Sequence, residues 1–315
     1  MKAIVYDRYG SADGLRVEDV PVPEPQPNQV LVEVAATSIN LSDWESLTGT
    51  PFYVRIDGLR TPRRPILGSD IAGRVVSVGS EVTRFQAGDE VYGQSPKGGF
   101  AEYAVASQNA LALKPAGLTF AQASTLPEAG TIALQGTTGL GPGQRLAING
   151  AGGGSGSFAI QLAKRAGAHV TAVDNASKLD FMRSVGADEV VDYRTEDFTR
   201  RGRFDRILDM VAGRSVFALR RALIAGGRYQ CVGGPVPAML RVLTVGNLIC
   251  RMTGRRMGVL AVRQGPPHFQ PLADLCVSGE IDIHIDRTFP LEQVPAALVR
   301  VGEGHALGKV VVTPN

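Results

Sequence analysis

A glycine-rich turn between an apolar strand and a helix limits what this chain can fold into more than any other segment. The turn, residues 150–156, follows the apolar run 145–149 and precedes a helical pattern over 157–166. Unpaired amides at a helix N-terminus attract anions, and glycines let the backbone approach them closely. The turn reads Ala-x-Gly-x-x-Gly from Ala151 to Gly156, which departs from a strict three-glycine pattern. Its position between strand and helix nevertheless predicts a phosphate-binding turn.

The surrounding sequence alternates between strands and helices from about residue 119. Strands are predicted at 145–149, 169–173, 189–193, 204–211 and 228–232, and helices at 157–166, 178–185 and 214–224. Gly226 and Gly227 are expected to end the last helix. Such alternation predicts an α/β domain, a doubly wound parallel sheet of the Rossmann type covered by helices on both faces.

The first 115 residues have a different texture, because short β-like runs are broken there by Gly and Pro. This pattern predicts a small, mainly β domain. The closing run 309–312 is a further predicted strand that can rejoin it. We therefore assign residues 1–116 and 264–315 to a β domain and residues 117–263 to a Rossmann nucleotide-binding domain.

Charge and cysteine content exclude several classes of function. The 33 basic and 30 acidic residues leave a formal charge of +3, which predicts neither a nucleic-acid partner nor a membrane partner. No stretch approaches the ~18 apolar residues of a membrane span. Cys231, Cys250 and Cys276 are far apart and odd in number, which favours a reducing, cytoplasmic location over a disulfide framework.

The choice of nucleotide depends on Asp174, which follows the second predicted strand. A carboxylate there accepts hydrogen bonds from the ribose hydroxyls of NAD and repels the 2′-phosphate of NADP. Asp174 thus favours NAD. Alternatively, Asp174 or Asn175 caps the next helix. A third reading, a 2′-phosphate pocket that admits NADP, uses Ser177, Lys178, Tyr193 and Arg194.

Over almost its whole length the chain resembles the medium-chain dehydrogenase/reductase superfamily, specifically the zinc-free quinone oxidoreductase (zeta-crystallin-like) branch. The markers are residues 38–44, 67–73, 88–93, 99–103, 149–164, 186–188 and 308–311. The resemblance implies a GroES-like first domain, an NAD(P)H cofactor and a homodimer joined through the edges of the Rossmann sheets. It also implies hydride transfer to a quinone, an enone or a related carbonyl.

The zinc ligands of the related alcohol dehydrogenases are replaced in this sequence. Asn40 stands where the zinc branch has Cys, and Ser69 and Asp70 stand where it has His and Glu. Catalytic zinc prefers thiolate, imidazole and carboxylate ligands. No Cys precedes Cys231, so the structural zinc lobe is also missing. We therefore expect no metal.

Three residues are candidates for catalysis. Asn40 is expected near the nicotinamide and substrate, or it only shapes its loop. Thr131 matches a family position near the nicotinamide, or its hydroxyl bonds back within its own helix. Tyr53 is a candidate proton donor, on an arginine-containing loop that either selects substrates or is solvated surface. Asp43 and Trp44 are candidates for the substrate mouth, with Trp44 alternatively in the core.

The cofactor site is expected to include Asn40, Thr131 and residues at the ends of the sheet strands. The other members are Gly150, Ala151, Gly152, Gly153, Gly154, Ser155, Gly156, Asp174, Asn175, Ser177, Lys178, Tyr193, Val232, Gly233, Gly234, Leu260, Ala261 and Lys309.

The leading hypothesis is a zinc-independent NAD(P)H oxidoreductase acting on a small quinone or enone. A second hypothesis is a zinc-free alcohol or enoyl-thioester reductase. In that case the basic residues Arg251, Arg255 and Arg256 would bind a phosphorylated carrier instead of forming a solvated helix face. A third hypothesis is a non-catalytic nucleotide-binding protein with a structural or interaction role, since a fold does not fix a function.

Overall fold

The computed structural model describes residues 1–96 and 98–314, apart from the side chains of Asp57, Asn247 and Arg251. The strands are β1 (Lys2–Val5), β2 (Arg16–Asp19), β3 (Gln29–Ile39), β4 (Asp70–Val78), β5 (Glu90–Gln94), β6 (Tyr103–Ser107), β7 (Leu111–Leu113), β8 (Arg145–Asn149), β9 (His169–Asp174), β10 (Glu189–Asp192), β11 (Phe204–Asp209), β12 (Leu223–Cys231), β13 (Arg256–Val259), β14 (Ile285–Pro290) and β15 (Lys309–Thr313).

The α-helices alternate with these strands and are joined by shorter helical turns. They are α1 (Leu41–Thr48), α2 (Phe120–Ser124), α3 (Pro127–Thr137), α4 (Gly154–Arg165), α5 (Leu179–Ser184), α6 (Val216–Ala222), α7 (Val236–Arg241), α8 (Asn247–Thr253), α9 (Gln270–Val277) and α10 (Val294–Gly302). Turns of 3-10 helix cover Ala12–Gly14, Phe52–Asp57, Gln108–Ala110, Ala176–Lys178, Phe198–Arg200, Pro266–His268 and Leu291–Gln293, and Val242–Gly246 is a π-helix.

The chain forms two compact units, Met1–Thr131 with Arg263–Asn315, and Ile132–Val262. The sequence-based boundary at residue 117 lies earlier than this division. The difference arises because α2 packs on the β unit: Ala123 is fully buried, and the Ser38 hydroxyl donates a hydrogen bond to the Ser124 carbonyl (2.8 Å). The first turns of α3 therefore belong to the first unit.

The second unit contains a six-stranded parallel sheet in the order β10-β9-β8-β11-β12-β13. This is the Rossmann order, so the predicted fold class is confirmed. Strands β8 and β9 are buried almost throughout, as parallel strands with both faces covered must be. The order reverses beside β8, and ligands of such sheets bind at the carboxyl ends of the strands near this point.

The predicted helix at 214–224 is longer than the helix found. α6 ends at Ala222, and Leu223 begins β12, with Gly226 and Gly227 inside the strand. Leu223 is fully buried and pairs with Phe204, so burial on the sheet outweighs the helical pattern. Gly226 adopts a φ of +79°, a conformation that glycine permits, beside the register shift between β11 and β12.

The first unit contains a mainly antiparallel sheet in the order β14-β15-β3-β4-β5-β7, with β6 also paired to β3. β15 pairs with β3, where Val310 lies opposite Ile39, so the last strand belongs to this unit. Trp44 is partly buried and packs against its core; a Cβ on Gly302 of α10 would lie 2.1 Å from the indole. Its place at the substrate mouth stays a prediction. In the described part of the chain, no helix is long and apolar enough to span a bilayer.

Candidate functional site

The first amides of the glycine-rich turn form hydrogen bonds within the protein. The Gly150 and Ala151 amides donate to the Val173 carbonyl (2.9 and 3.0 Å), and the Gly152 amide donates to Asp174 Oδ2 (2.9 Å). Helix α4 begins directly afterwards with Gly153 as its N-cap. The first amides of a helix have no partner within it. Any anion at this turn is therefore met by the amides that follow Gly152.

Two glycines in the turn have different steric roles. A Cβ on Gly156 would lie 2.3 Å from the Ala151 carbonyl oxygen, so only glycine lets α4 pack against the turn. A Cβ on Gly153 would meet nothing closer than the Gly150 oxygen at 3.8 Å. The space over Gly153 is therefore open, and a side chain there would fill it. This arrangement fits a dinucleotide diphosphate.

Asp174 is buried under the turn. Its Oδ1 accepts hydrogen bonds from the Asn175 amide (2.9 Å) and carboxamide (3.2 Å), and Lys178 Nζ lies 3.6 Å from the same oxygen. With the Gly152 amide on Oδ2, the carboxylate accepts three hydrogen bonds, and the ion pair with Lys178 is a further contact. Asp174 thus joins β9 to the turn, and Lys178 balances its charge.

The predicted 2′-phosphate residues lie together at the end of β9. The Tyr193 amide donates to the Asp174 carbonyl (3.0 Å), and the Arg194 guanidinium lies 5.6 Å from the Tyr193 ring centre. Asn175 accepts hydrogen bonds from the Ser177 amide and hydroxyl, so the capping alternative applies to Asn175. Tyr193 is half-exposed.

The ends of β12 and β13 are held in place by backbone hydrogen bonds. The Val232 amide donates to the Asp209 carbonyl (2.9 Å), and the Leu260 amide donates to the Cys231 carbonyl (2.7 Å). Gly234 has a φ of +122°, in the region that favours glycine. The residues predicted to contact the second half of the cofactor therefore follow the strand ends, as the sequence indicated.

Asp209 is a site residue that sequence reasoning missed. Its side chain is fully buried at the end of β11, where Oδ1 accepts from Asn149 Nδ2 (2.8 Å) and from the Val211 and Ala212 amides. Oδ2 accepts from the Tyr229 hydroxyl (3.0 Å). Asp209 thus fixes the loop beside the glycine turn. The signal in the sequence that could have identified it was an acidic residue at the end of an apolar strand.

The first unit holds a buried group of polar side chains that we call the acid cluster: Asp43, Asp70 and Glu128 with Asn40 and Lys309. Lys309 Nζ donates to Asn40 Oδ1 (2.6 Å) and to the Ile39 carbonyl (3.2 Å), and Asn40 Nδ2 donates to Asp70 Oδ2 (2.9 Å). Asn40 thus links the ammonium to the carboxylate. Lys309 and Asn40 are 2% and 6% exposed, and their cofactor contacts stay predictions.

Helix N-termini hold two carboxylates of the acid cluster. The Asn40 amide donates to Asp43 Oδ2 (2.8 Å) at the start of α1, and the Glu128 amide donates to Asp70 Oδ2 (3.1 Å) at the start of α3. Burial raises the pKa of Asp43 to about 7, with Asp70 adding to the effect. Burial also raises the pKa of Asp70, against the opposing effect of Lys309, whose own pKa burial lowers.

Glu128 is the partly exposed member of the acid cluster. Ser42 Oγ lies 2.9 Å from each of its carboxyl oxygens and donates to them. Burial raises the pKa of Glu128 to about 8, with further contributions from Asp70 and Asp43. Its carboxyl group is therefore largely protonated at neutral pH. Sequence reasoning missed Glu128; its signal was an acid beside Pro127 in an otherwise apolar helix start.

Thr131 lies one turn after Glu128 on α3 and is fully buried. Within residues 1–96 and 98–314, its Oγ1 finds no hydrogen-bond partner, so the alternative of a bond within its own helix is wrong. A buried hydroxyl without a partner costs free energy that a bound ligand can recover. This observation fits the predicted nicotinamide contact.

Tyr53 lies on the 3-10 turn Phe52–Asp57 and is 41% exposed, beside the exposed Phe52 and Ile56. Its predicted role as a proton donor stays a prediction. The exposed apolar side chains favour the substrate-selecting interpretation of this loop.

In the basic group near residue 255, Arg255 is bonded to backbone carbonyls. Arg255 donates from Nε to the Leu223 carbonyl (3.0 Å) and from Nη1 to the Thr253 carbonyl (3.2 Å), so it ties the chain together. Arg256 is exposed on β13, and the Arg251 side chain lies outside the described part.

In the described residues, no group of three or more His, Cys, Asp or Glu side chains is placed to hold a metal ion.

Comparisons with known proteins cover both units. Residues 26–116 match the family described as "Alcohol dehydrogenase GroES-like domain", and residues 185–312 match "Zinc-binding dehydrogenase". The chain is 33% identical over 333 residues to the chloroplastic quinone oxidoreductase QR1 of Triphysaria versicolor, covering 100% of this chain and 98% of the relative. It is 32% identical to the chloroplastic NADPH-dependent alkenal/one oxidoreductase of Arabidopsis thaliana, covering 100% and 80%.

A solved structure agrees with these relatives. The quinone oxidoreductase from Coxiella burnetii superposes with a TM-score of 0.90 at 30% identity, covering 100% of this chain and 99% of that one. The GroES-like and Rossmann expectations are thereby confirmed. The chain belongs to the medium-chain dehydrogenase/reductase superfamily, in its zinc-free quinone oxidoreductase branch of NAD(P)H oxidoreductases.

Proposed function

We propose that this enzyme transfers hydride from NAD(P)H to a quinone or a conjugated enone without a metal ion. The observation that carries the proposal is the open space over Gly153 at the start of α4, on the ligand-binding edge of a Rossmann sheet. The names of the quinone and alkenal/one oxidoreductase relatives support the acceptor class.

The residues divide the work of binding and positioning. The amides after Gly152 hold the diphosphate, and Asp209 keeps the neighbouring loop in one conformation. Thr131 offers its unpartnered hydroxyl to the nicotinamide carboxamide. When bound, NAD(P)H supplies the hydride. Because Asn40 and Ser69 replace ligands that zinc prefers, the acceptor must already be electrophilic, as quinones and enones are.

We propose further that the enzyme accepts NADPH. The preference for NAD inferred from sequence requires a free carboxylate at Asp174, but this carboxylate accepts three hydrogen bonds within the protein and Lys178 Nζ lies 3.6 Å from it. Arg194 beside Tyr193 supplies a cation for a 2′-phosphate. We also propose that the enzyme is cytoplasmic, as its free cysteines led us to expect. We propose in addition that it forms a homodimer.

Dissociation constants for NADH and NADPH in three variants test this cofactor choice. Arg194→Ala should weaken NADPH binding and leave NADH binding unchanged. Asp174→Ser should weaken both equally, because it loosens the turn. Asp180→Ser, whose carboxylate is 99% exposed on α5, is the control. A rise in the NADPH-to-NADH affinity ratio in Asp174→Ser would restore the assignment to NAD.

Turnover with 1,4-benzoquinone and but-3-en-2-one, before and after dialysis against a chelator, tests the reaction itself. We expect NADPH oxidation with both acceptors and the same rate after dialysis. Nucleotide binding without turnover of either acceptor would favour the non-catalytic alternative. Preferential turnover of an enoyl thioester would favour the second enzyme hypothesis, although Arg255 is already committed to backbone carbonyls.

A further inference from the structure

Among the three acidic residues of the acid cluster, Glu128 is the only one that is partly exposed. Asp43 is 4% exposed and Asp70 is fully buried, whereas Glu128 is partly exposed. Its carboxyl oxygens are reached by the hydroxyls of Ser42 (2.9 Å) and Ser69 (3.4 Å). Two hydroxyls thus orient the carboxyl group of the one acidic residue in the cluster that is partly exposed.

The charges around Glu128 keep a proton in the cluster. Asp70 faces it from β4, Asp43 from α1 and Lys309 from β15. Three ionised carboxylates against one ammonium would leave a net negative charge in a buried place, where an uncompensated charge is strongly disfavoured. The Glu128 amide and Asn40 carboxamide already donate to Asp70. The outermost carboxyl group is therefore the least costly place for the extra proton.

Helix α3 carries Glu128 and the unpartnered Thr131 on the same side. The two residues are three positions apart, so their side chains share one face of the helix. Thr131 Oγ1 has no hydrogen-bond partner in the described part of the chain. A ligand that fills this vacancy therefore lies along the helix face that carries Glu128.

We propose that Glu128 is the acid that completes the reduction, donating its proton to the acceptor after hydride transfer. The inference rests on the proposed function. Hydride adds to the β-carbon of an enone and the C=C electron pair moves to form an enolate. The Glu128 O–H bond then breaks and its proton bonds to the enolate α-carbon. The cofactor is oxidised, the enone is reduced, and Glu128 remains as a carboxylate.

Solvent restores the starting state through the exposed side of Glu128. Ser42 donates to the carboxylate in this interval and holds it in place until a proton returns. Asp70 acts as a positioning residue, since its carboxylate accepts a hydrogen bond from the Glu128 amide and is linked through Asn40 to Lys309. Asp70 also raises the proton affinity of Glu128 through its charge.

Infrared difference spectra during a pH titration give a readout that needs no turnover. The spectrum of the wild-type enzyme should show a protonated carboxyl band that disappears with a midpoint of about 8. The component with this midpoint should be missing in Glu128→Gln, where the components of Asp43 and Glu45 at about 7 remain, and it should be present in Glu45→Gln. Glu45 is the matched control, because burial raises its pKa to about 7 on α1, outside the acid cluster.

Kinetics with two acceptors test the role of the proton. Glu128→Gln should reduce but-3-en-2-one about 10²–10⁴-fold more slowly, the usual contribution of a general acid. It should lose much less of its rate with the N-methylacridinium ion, because that cation accepts hydride and needs no proton. Glu128→Asp should recover part of the enone rate, and circular dichroism checks that each variant is folded.

The outcomes separate this inference from the proposed function. Failure of the wild-type enzyme to reduce either acceptor would refute the proposed function. Wild-type turnover with an unchanged enone rate in Glu128→Gln would overturn the role of Glu128 alone, as would equal losses with both acceptors. A component with a midpoint of about 8 that persists in Glu128→Gln would assign that proton to another residue and would also overturn it.

Discussion

Lys309 faces three carboxyl groups with one ammonium, and this imbalance gives the first unit a strong dependence on pH. The pKa values of Glu128 and Asp43 are raised above their ordinary 4.5 and 3.8, to about 8 and about 7. The folded chain therefore holds more protons than the unfolded chain between about pH 4 and 8. The stability from these groups is complete below pH 4 and is lost as the pH rises through 7 and 8.

Replacing Lys309 should make this loss steeper. Lys309→Met removes the buried cation, and we expect the free energy of unfolding to fall by about 3–5 kcal/mol at pH 8. At pH 6 the loss should be smaller, because the carboxyl groups are protonated. Urea unfolding at both pH values measures the difference. In Lys114→Met, whose partner Glu90 is 38% exposed, the loss should not depend on pH.

Replacing Thr131 should have opposite effects on the stability of the free protein and on its binding of NAD(P)H. Thr131→Val removes a buried hydroxyl without a partner, so the free protein should keep its stability or gain about 1 kcal/mol. NAD(P)H binding should weaken up to about tenfold, the value of one hydrogen bond. Calorimetry of the free and bound protein measures both. Thr137→Val is the control, since that hydroxyl donates to Ala133 on the same helix. A clear destabilisation of the free protein would contradict this role for Thr131.

Single-residue roles were the least predictable from the sequence. The Asp174 position was evident, but the donors that fill its carboxylate come from Gly152 in the turn and from Lys178 four residues later. Likewise Asn40, Asp70 and Lys309 are distant in the sequence and meet only because β15 pairs with β3 and β3 pairs with β4. Pairing between distant strands is not contained in a local pattern.

At the level of elements, we expect two glycine-to-alanine substitutions in the glycine-rich turn to impair the protein for different reasons. Gly156→Ala should destabilise the free protein by about 1–3 kcal/mol, because the methyl group overlaps the Ala151 carbonyl. Gly153→Ala should cost the free protein less than about 1 kcal/mol, the effect of an alanine N-cap, because its methyl group enters open space.

The two substitutions should both weaken cofactor binding, but for Gly153→Ala this is the main effect. Melting curves with and without NADPH distinguish the two cases. Equal destabilisation of both free variants would mean that the space over Gly153 is structural and does not receive a ligand.

Element types were predictable where periodicity was strong, and the ends of elements were not. β8 was predicted to the residue, since buried parallel strands are continuous apolar runs. The helix predicted to end at 224 stops at Ala222, because Leu223 is drawn into β12 by pairing with β11. Tertiary burial decides such boundaries, and a local pattern does not register it.

At the scale of the whole molecule, the doubly wound parallel sheet followed from the alternation of elements and the family resemblance. The position of the boundary between the β unit and the Rossmann unit did not follow from these features. The segment 120–131 carries helices, which suggested the α/β unit, yet Ala123 and Leu126 are buried in the β unit. This placement brings Glu128 and Thr131 into the unit that holds Lys309, and so creates the acid cluster.

The expected homodimer remains a prediction, and the sheet edges offer a direct test. β13 is one edge of the six-stranded sheet and β10 is the other. The Leu260 amide points to β12, so by alternation the Val259 amide points away from the sheet. Val259→Pro removes this outward donor and leaves the bonds to β12 in place.

If two copies join through β13, sedimentation should show a wild-type dimer and a Val259→Pro monomer. Val190→Pro on β10 is the matched control, because the Tyr193 amide faces β9 and the Val190 amide therefore faces outward. That variant should remain dimeric. A wild-type monomer would refute the homodimer, and a dimer broken only by Val190→Pro would move the interface to the opposite edge. An unpaired edge strand favours association by the main chain, so backbone donors are the groups to remove.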